Sequence, residues 1–439
     1  MSKNSQELTL SKIFVFWTPL GATWLMMALE GPFLAALIAR LAEPKFNLAA
    51  YGVAYAFALI IEAPVIMIMS ASTALVKDRH SFNKLKIFTY FLNGLITILM
   101  VILVIPSIFY FVTEDLIGLP QRIAYLTHIA TIIMLPWAAA IGYRRFYQGI
   151  LIRNNLTRRV AYGTVVRLLT MIMTALVLFF YFDIPGAVVA ASALALAVIA
   201  EAIASRIMAS GTINKILSKS ESSESELTYK GIYKFYYPLA LTAIISLAVQ
   251  PIITFFIGKS RMPIESLAVL PVITSFVFIF RALGLSYQEV IIAFMGEIKG
   301  GYYPLKKFAI ILGSTLSLIL ILVAFTPLSN IWFINISGLS YSLSEFSITP
   351  LMIMSVFPAL TVLLCFQRAV LICGSNTGPI TWGTVVEFTT IIIVMLVSIN
   401  SVSLIGAIAA TSSFIIGRIA VNIYLTPSVN KSIKNILAL

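Results

Sequence analysis

Apolar runs of 20 to 30 residues follow one another along the whole chain, and no other feature limits its fold so strongly. Twelve are legible: about 13–39, 47–76, 85–113, 122–150, 158–182, 186–209, 231–258, 265–294, 305–333, 345–372, 379–402 and 405–427. Each can cross ~30 Å of hydrocarbon at ~1.5 Å per residue. Barrel strands would be near ten residues and strictly alternating, so these lengths predict helices, whose backbone polar groups are satisfied within one segment. Hydrophobic residues make up 60% of the 439 and charged residues 11%, with a mean hydropathy of +1.00. A soluble domain has no use for so much apolar surface. The first run is too long for a signal peptide and lacks a small-residue cleavage site, so it is expected to stay in the mature protein.

The chain also repeats itself. Laid on its own second half, it places Phe16, Pro19, Leu20, Thr23 and Pro32 on Phe235, Pro238, Leu239, Thr242 and Pro251. One step further along, Gly163-Thr164-Val165-Val166 falls on Gly383-Thr384-Val385-Val386, and Phe146 to Val177 matches Phe366 to Val397 at 12 of 32 positions without a gap. Between the copies lies a polar stretch, 210–230, containing Lys219-Ser220-Glu221-Ser222-Ser223-Glu224-Ser225-Glu226, which reads as a solvated cytoplasmic linker. The expected division is therefore an N-terminal six-helix lobe, 1–209, the linker, 210–230, and a C-terminal six-helix lobe, 231–439. Six helices return the chain to its starting side, so the copies insert in the same orientation. The predicted fold class is an all-α polytopic membrane protein, with 12 transmembrane helices in two lobes related by a pseudo-two-fold along the membrane normal.

The net charge of +13 follows this topology rather than a nucleic-acid surface. With the amino terminus inside, the cytoplasmic segments hold 22 of the 30 Lys and Arg, and the opposite side five: Arg40, Lys45, Arg122, Lys259 and Arg261. The positive-inside bias predicts both termini in the cytoplasm of a bacterial-type inner membrane, and no nucleic-acid partner.

Ionisable residues well inside runs are few: Glu30, Glu62, Arg167, Glu201, Arg281, Glu289, Glu387 and Arg418. Each costs ~2.5–3.5 kcal/mol at mid-bilayer unless paired or hydrated. The repeat lays Glu62 on Arg281 and Arg167 on Glu387, so the halves exchange charge sign at matching places. Glu62 and Arg281 both fall near the midplane, and read as a substrate cleft or gate contact between the lobes, or as a static buried salt bridge. Glu289, two helical turns beyond Arg281, extends that stripe. Glu30 stands before Gly31-Pro32, where the backbone cannot complete its hydrogen bonds, and is the leading ion-coupling residue with Glu62 beside it; a structural acid is the alternative. Arg167 and Glu387 read as charges paired within their own halves, and Glu201 and Arg418 as local or interfacial partners. Gly31, Pro32 and Pro251 are expected helix kinks, repeated between the first and seventh runs. Arg144-Arg145-Phe146-Tyr147-Gln148-Gly149 reads as a basic anchor at the inner headgroups, or as a contact for an anionic substrate or lipid.

Signals for an enzyme are lacking. There is no Gly-Lys-Ser/Thr phosphate loop and no Gly-x-Ser-x-Gly elbow. The three aspartates, Asp78, Asp115 and Asp183, fall between runs; His80 and His128 are too few for a histidine-rich metal site, and Cys365 and Cys373 have no ligand spacing. No cofactor is expected beyond a coupling proton or sodium ion.

A duplicated six-plus-six chain of this length resembles the MATE (multidrug and toxic compound extrusion) superfamily, which includes polysaccharide and lipid flippases. Its first two runs are most similar to the progressive ankylosis (ANK) family, through Pro19-Leu20-Gly21-Ala22-Thr23, Glu30 and Leu48-Ala49-Ala50-Tyr51-Gly52-Val53-Ala54-Tyr55, with Lys77-Asp78-Arg79 after them and Phe235-Tyr236-Tyr237-Pro238-Leu239-Ala240 opening the second copy. The resemblance implies two lobes around a cleft lined by helices 1, 2, 7 and 8, working by rocker-switch alternating access. It implies proton or sodium antiport, with organic cations as cargo in MATE exporters and anions in ANK relatives. The absence of an intramembrane aspartate departs from drug-exporting MATE proteins. Taken together, the expectation is a monomeric secondary active exporter of a small organic solute, cation or anion, in contact with membrane lipids. A flippase for a lipid-linked or amphipathic substrate and a non-transporting scaffold or receptor are the alternatives.

Overall fold

The structure, a computed structural model, describes residues 8–38, 40–117, 119–218, 227–257, 259–295 and 301–438. Its frame is twelve long helices: α1 (Leu10–Ile38), α2 (Phe46–Leu75), α3 (Arg79–Leu103), α4 (Gln121–Arg153), α5 (Thr157–Tyr181), α6 (Gly186–Leu217), α7 (Tyr229–Ile257), α8 (Glu265–Met295), α9 (Tyr302–Ala324), α10 (Tyr341–Cys373), α11 (Gly378–Asn400) and α12 (Gly406–Ala438). Each coincides with one of the twelve apolar runs.

Local chemistry sets the ends and breaks. Asp78 caps α3 in a reciprocal capping box with Ser81. Pro106 opens a separate short helix, Pro106–Tyr110, so α3 stops at Leu103 although the apolar run continues. Within α2 a 3-10 turn at Ala63–Val65 surrounds Pro64, and α4 and α10 restart just ahead of Pro136 and Pro358. At the other end of its run α6 continues to Leu217, into the stretch read as linker, because Thr212, Ile213 and Ile216 are buried. The acidic and serine-rich part of that linker, 219–226, lies outside the described residues.

The repeat extends to backbone detail. A π-helical turn at Phe111–Leu116 recurs at the matching place of the second copy, Ile331–Ile336. Left-handed residues recur as well: Glu43 (φ 49°) with Met262 (φ 51°), and Asn155 (φ 60°) with Ser375 (φ 52°). Close helix crossings are kept with partners exchanged. In the first copy a Cβ on Gly142 would lie 2.0 Å from Asn93 Oδ1; at the two matching positions of the second copy Gly313 faces Val362.

By its contacts the chain divides into two compact units. The first is Met26–Ala243; the second is Met1–Leu25 with Ile244–Leu439. This is a division by packing, whereas the sequence repeat is one by duplication. The opening half of α7 belongs to the first unit, where the Tyr236 hydroxyl donates to the Pro64 carbonyl and its ring meets Phe88 edge-on at 5.3 Å. The opening half of α1 belongs to the second, where Trp17 Nε1 donates to Ser286 Oγ at 2.8 Å and Phe16 packs on Phe294.

Candidate functional site

Each unit holds its own cluster of charges inside the helices. In the first unit four helices contribute. Arg144 and Gln148 stand one turn apart on α4, and Thr164 and Arg167 one turn apart on α5, so each pair shares a helix face. Glu201 of α6 meets both faces. One of its oxygens accepts from Arg144 and lies 3.5 Å from Arg167; the other accepts from Gln148 Nε2 and Thr164 Oγ1, both at 3.1 Å. Glu201 is fully buried, and Gly163 packs beside it, facing Ser205 and the Glu201 stem. Arg167 reaches on to Glu30 of α1, whose Oε2 takes a hydrogen bond from it while Oε1 has no partner. Two carboxylates and two guanidiniums thus form a chain from α1 to α4: Glu30, Arg167, Glu201, Arg144.

Glu62 lies near this chain without joining it. It is buried, its Oε2 has no hydrogen-bond partner, and it sits in the field of Arg145, Arg144 and Arg167. Tyr55 of α2 feels both Glu62 and Glu30, and stacks on Tyr51 with ring centroids 6.0 Å apart.

The second unit repeats the places with other charges. Glu387 stands where Arg167 does, Thr384 where Thr164 does and Arg368 where Gln148 does. Arg418 of α12 donates from Nε to Glu387 Oε1 at 2.7 Å and from Nη1 to Thr361 Oγ1 at 3.2 Å. Gly417 permits this approach: a Cβ there would lie 2.7 Å from Ile391 and 3.1 Å from the Glu387 carbonyl. Arg368 donates to the Thr384 hydroxyl at 3.0 Å. The guanidiniums of Arg281 and Arg418 both lie over the Phe357 ring, 4.5 and 4.7 Å from its centroid. Arg281 Nε has no hydrogen-bond partner. Glu289 is buried in the same unit.

Of the residues singled out by sequence, Glu30, Arg167 and Glu201 come together in one unit, and Arg281, Glu387 and Arg418 in the other. Glu62 and Arg281 belong to different units. Both α1 and α7 are helical through Gly31, Pro32 and Pro251, and the side chains of the two prolines lie outside the described residues. One reading is corrected. Arg144 is no headgroup anchor: it is 2% exposed and paired with Glu201, because α4 runs on to Arg153 and leaves it well inside the helix. Arg368 and Phe357 escaped the sequence reading, and Gln148 and Thr164 entered it only as members of a motif and of a repeat marker. The repeat held the signal for Arg368, since it takes the place of Gln148 in the matched register.

No family model matches the chain, and no curated protein matches it in sequence. Solved structures match it from end to end. The MATE transporter VcmN of Vibrio cholerae, in its bent form, gives a TM-score of 0.77 at 14% identity, with 97% of each chain covered. A MOP superfamily transporter from Pyrococcus furiosus, described as having a binding pocket of reversed polarity, gives 0.77 at 16% identity over 99% of each. A multidrug resistance MATE family transporter in an outward-facing conformation gives 0.73 at 15% identity, again over 99% of each. Likeness at these identities is likeness of fold. The chain is an integral membrane protein with the twelve-helix fold of the MATE transporters.

Proposed function

We propose that this protein is a secondary active transporter that exports a small organic anion across a bacterial-type inner membrane, coupled to protons or sodium ions. One observation carries the choice of an anion. Around Phe357 and Thr384 three arginines gather, and a single carboxylate, Glu387, is ion-paired to one of them; with Glu289 counted, the cluster still holds a surplus positive charge. A guanidinium such as Arg281, held by a ring rather than an acid, is suited to take a carboxylate or phosphate in a low-dielectric site. The reversed pocket polarity described for the Pyrococcus protein, and the ANK-like residues of α1 and α2, support the same reading.

Coupling is assigned to Glu30. A proton on its carboxylate removes the charge that holds Arg167, and Arg167 then has Glu201, 3.5 Å away, as its remaining acid. Proton uptake therefore loosens α1 from α5, and proton loss restores the pair. We further propose that Glu62 and Arg281 meet and part during a rocker-switch cycle of the two six-helix lobes, that the protein works as a monomer, and that both termini lie in the cytoplasm. Among the described residues neither Glu62 nor Arg281 has an ion pair within its own unit, which supports the first of these.

The test is proton release from purified protein on addition of citrate, nucleotides, pyrophosphate or organic cations. An anion is expected to release protons from the wild type, not from Glu30→Gln, and to lose binding at least tenfold in Arg281→Ala. Response to cations alone would overturn the anion reading; anion binding with unchanged proton release in Glu30→Gln would remove Glu30 from coupling. For the gate, Glu62→Arg and Arg281→Glu singly should abolish transport and together restore part of it. Equal loss in the double variant would refute the pairing.

A further inference from the structure

Two hydrogen bonds between the copies of the repeat are one arrangement made twice. Trp17 of α1 and Tyr236 of α7 stand at matching places, and so do the residues whose carbonyls they reach, Leu283 of α8 and Pro64 of α2. Trp17 Nε1 lies 3.3 Å from the Leu283 oxygen and 2.8 Å from Ser286 Oγ, and the Tyr236 hydroxyl donates to the Pro64 oxygen. The third partner matches as well. The Trp17 ring meets Phe308 of α9 edge-on at 5.8 Å, the Tyr236 ring meets Phe88 of α3 edge-on at 5.3 Å, and Phe88 and Phe308 are again one place in the repeat. The first helix of each copy thus docks on the second and third helices of the other.

Both carbonyls sit at helix breaks. Helix α2 passes through the 3-10 turn Ala63–Val65, and α8 is interrupted at Ser286, between segments that end at Leu285 and start at Tyr287. Beside such a break the backbone ladder is disturbed, and in lipid a side-chain donor is the substitute for water. Both donors are buried, Tyr236 at 2% exposure. Six helices separate the start of α1 from the start of α7, so the two bonds lie at the same end of the bundle. Beyond them each helix changes partner: α1 packs with its own copy from Met26, and α7 with its own from Ile244.

We propose that these two bonds are the latches of a cytoplasmic gate, with Trp17 and Tyr236 as its positioning residues. The inference rests on the rocker-switch reading. When the two lobes part at the cytoplasmic end, α1 must leave α8 and α7 must leave α2, so one movement breaks both bonds. Water entering that end then takes up the freed N–H and O–H. A neutral hydrogen bond is worth only about fivefold in an equilibrium, so the pair keeps the end shut without making closure permanent.

Double electron–electron resonance between spin labels tests this without any substrate, on a Cys365→Ala/Cys373→Ala background. Asn83→Cys with Tyr303→Cys reports the cytoplasmic end, and Tyr181→Cys with Ser401→Cys the outer end; each pair is exposed and matched in the repeat. Trp17→Phe and Tyr236→Phe should each shift the ratio of open to closed cytoplasmic distances about fivefold, and together about 25-fold, because one movement breaks both bonds. The outer distance should shorten as the cytoplasmic one lengthens, which a loss of mere packing would not produce. If acidification moves the two distances in opposite senses in the wild type but the double variant keeps the wild-type populations, the latches are refuted and the rocker switch stands. If the two distances never move in opposite senses, in any variant or at any pH, the rocker switch fails and the latches fail with it. Should Trp17→Phe not give monodisperse protein, Tyr236→Phe, which removes a single oxygen, decides alone: unchanged populations reject the proposal.

Discussion

Inside a bilayer each guanidinium needs something to bond, and the arginines of the second unit find three different answers: a carboxylate for Arg418, a threonine hydroxyl for Arg368 and a phenyl ring for Arg281. In the first unit the charges balance instead, and that balance is testable. Arg144→Leu leaves Glu201 with Arg167 already shared, an odd negative charge in the core; losing one member of a buried pair costs ~3–5 kcal/mol. Adding Glu201→Leu leaves the self-sufficient Glu30–Arg167 pair, so the double variant should recover most of the lost thermal stability in detergent. If the double variant is no more stable than Arg144→Leu alone, the two residues are not the coupled pair described. The sequence made Glu30, Arg167, Glu201, Glu387 and Arg418 visible because a charge in mid-run stands out. It hid Arg144 and Arg368, because arginines near a run's cytoplasmic end look like topology signals. Who pairs with whom depended on helix contacts that no spacing encodes.

Helices in lipid gain little from apolar burial against one another, and close approach takes its place. Small residues mark those approaches. At Gly149 a Cβ would fall 2.6 Å from the Met69 carbonyl, a backbone atom that cannot turn aside, while the Ser72 hydroxyl donates to the Phe146 carbonyl at the same crossing of α2 and α4. Where α3 meets α4 the obstacle is only the Asn93 side chain, and the second copy shows the compensated form, Gly313 facing Val362. Gly142→Val alone should therefore overpack the crossing, at ~1–3 kcal/mol, and Asn93→Gly should relieve it. Thermal unfolding of the single and double variants decides, and additive losses would mean that the repeat does not transfer packing between copies. At this scale the sequence was most informative. All twelve runs became helices, and Gly163-Thr164 and Gly383-Thr384, noticed as repeat markers, proved to be crossing glycines beside threonines that bond the buried charges. Ends were harder to read: Pro106 cut α3 short, and the burial of Ile213 and Ile216 carried α6 past its apolar run.

For the molecule as a whole, the sequence repeat and the packing units do not share their borders. The first unit needs the opening half of α7, and the second needs the opening half of α1. Separate expression of residues 1–218 and 227–439 should thus give two unstable pieces, each short of half a helix, whereas co-expression should return a stable complex that co-purifies. A stable 1–218 fragment by itself would contradict this exchange. The duplication was legible because identical residues line up without gaps; the exchange was not, since it depends on which contacts a helix makes along its length. It also has a consequence in time. Trp17 is made early, but Ser286, whose hydroxyl accepts a hydrogen bond from its indole N–H, comes 269 residues later. At roughly 5–20 residues per second of synthesis, α1 waits on the order of 13 to 54 s before its opening half has anything of its own to hold. Through that interval the start of the chain depends on the insertion machinery and the lipid around it, and that is when a membrane protease has its best opportunity.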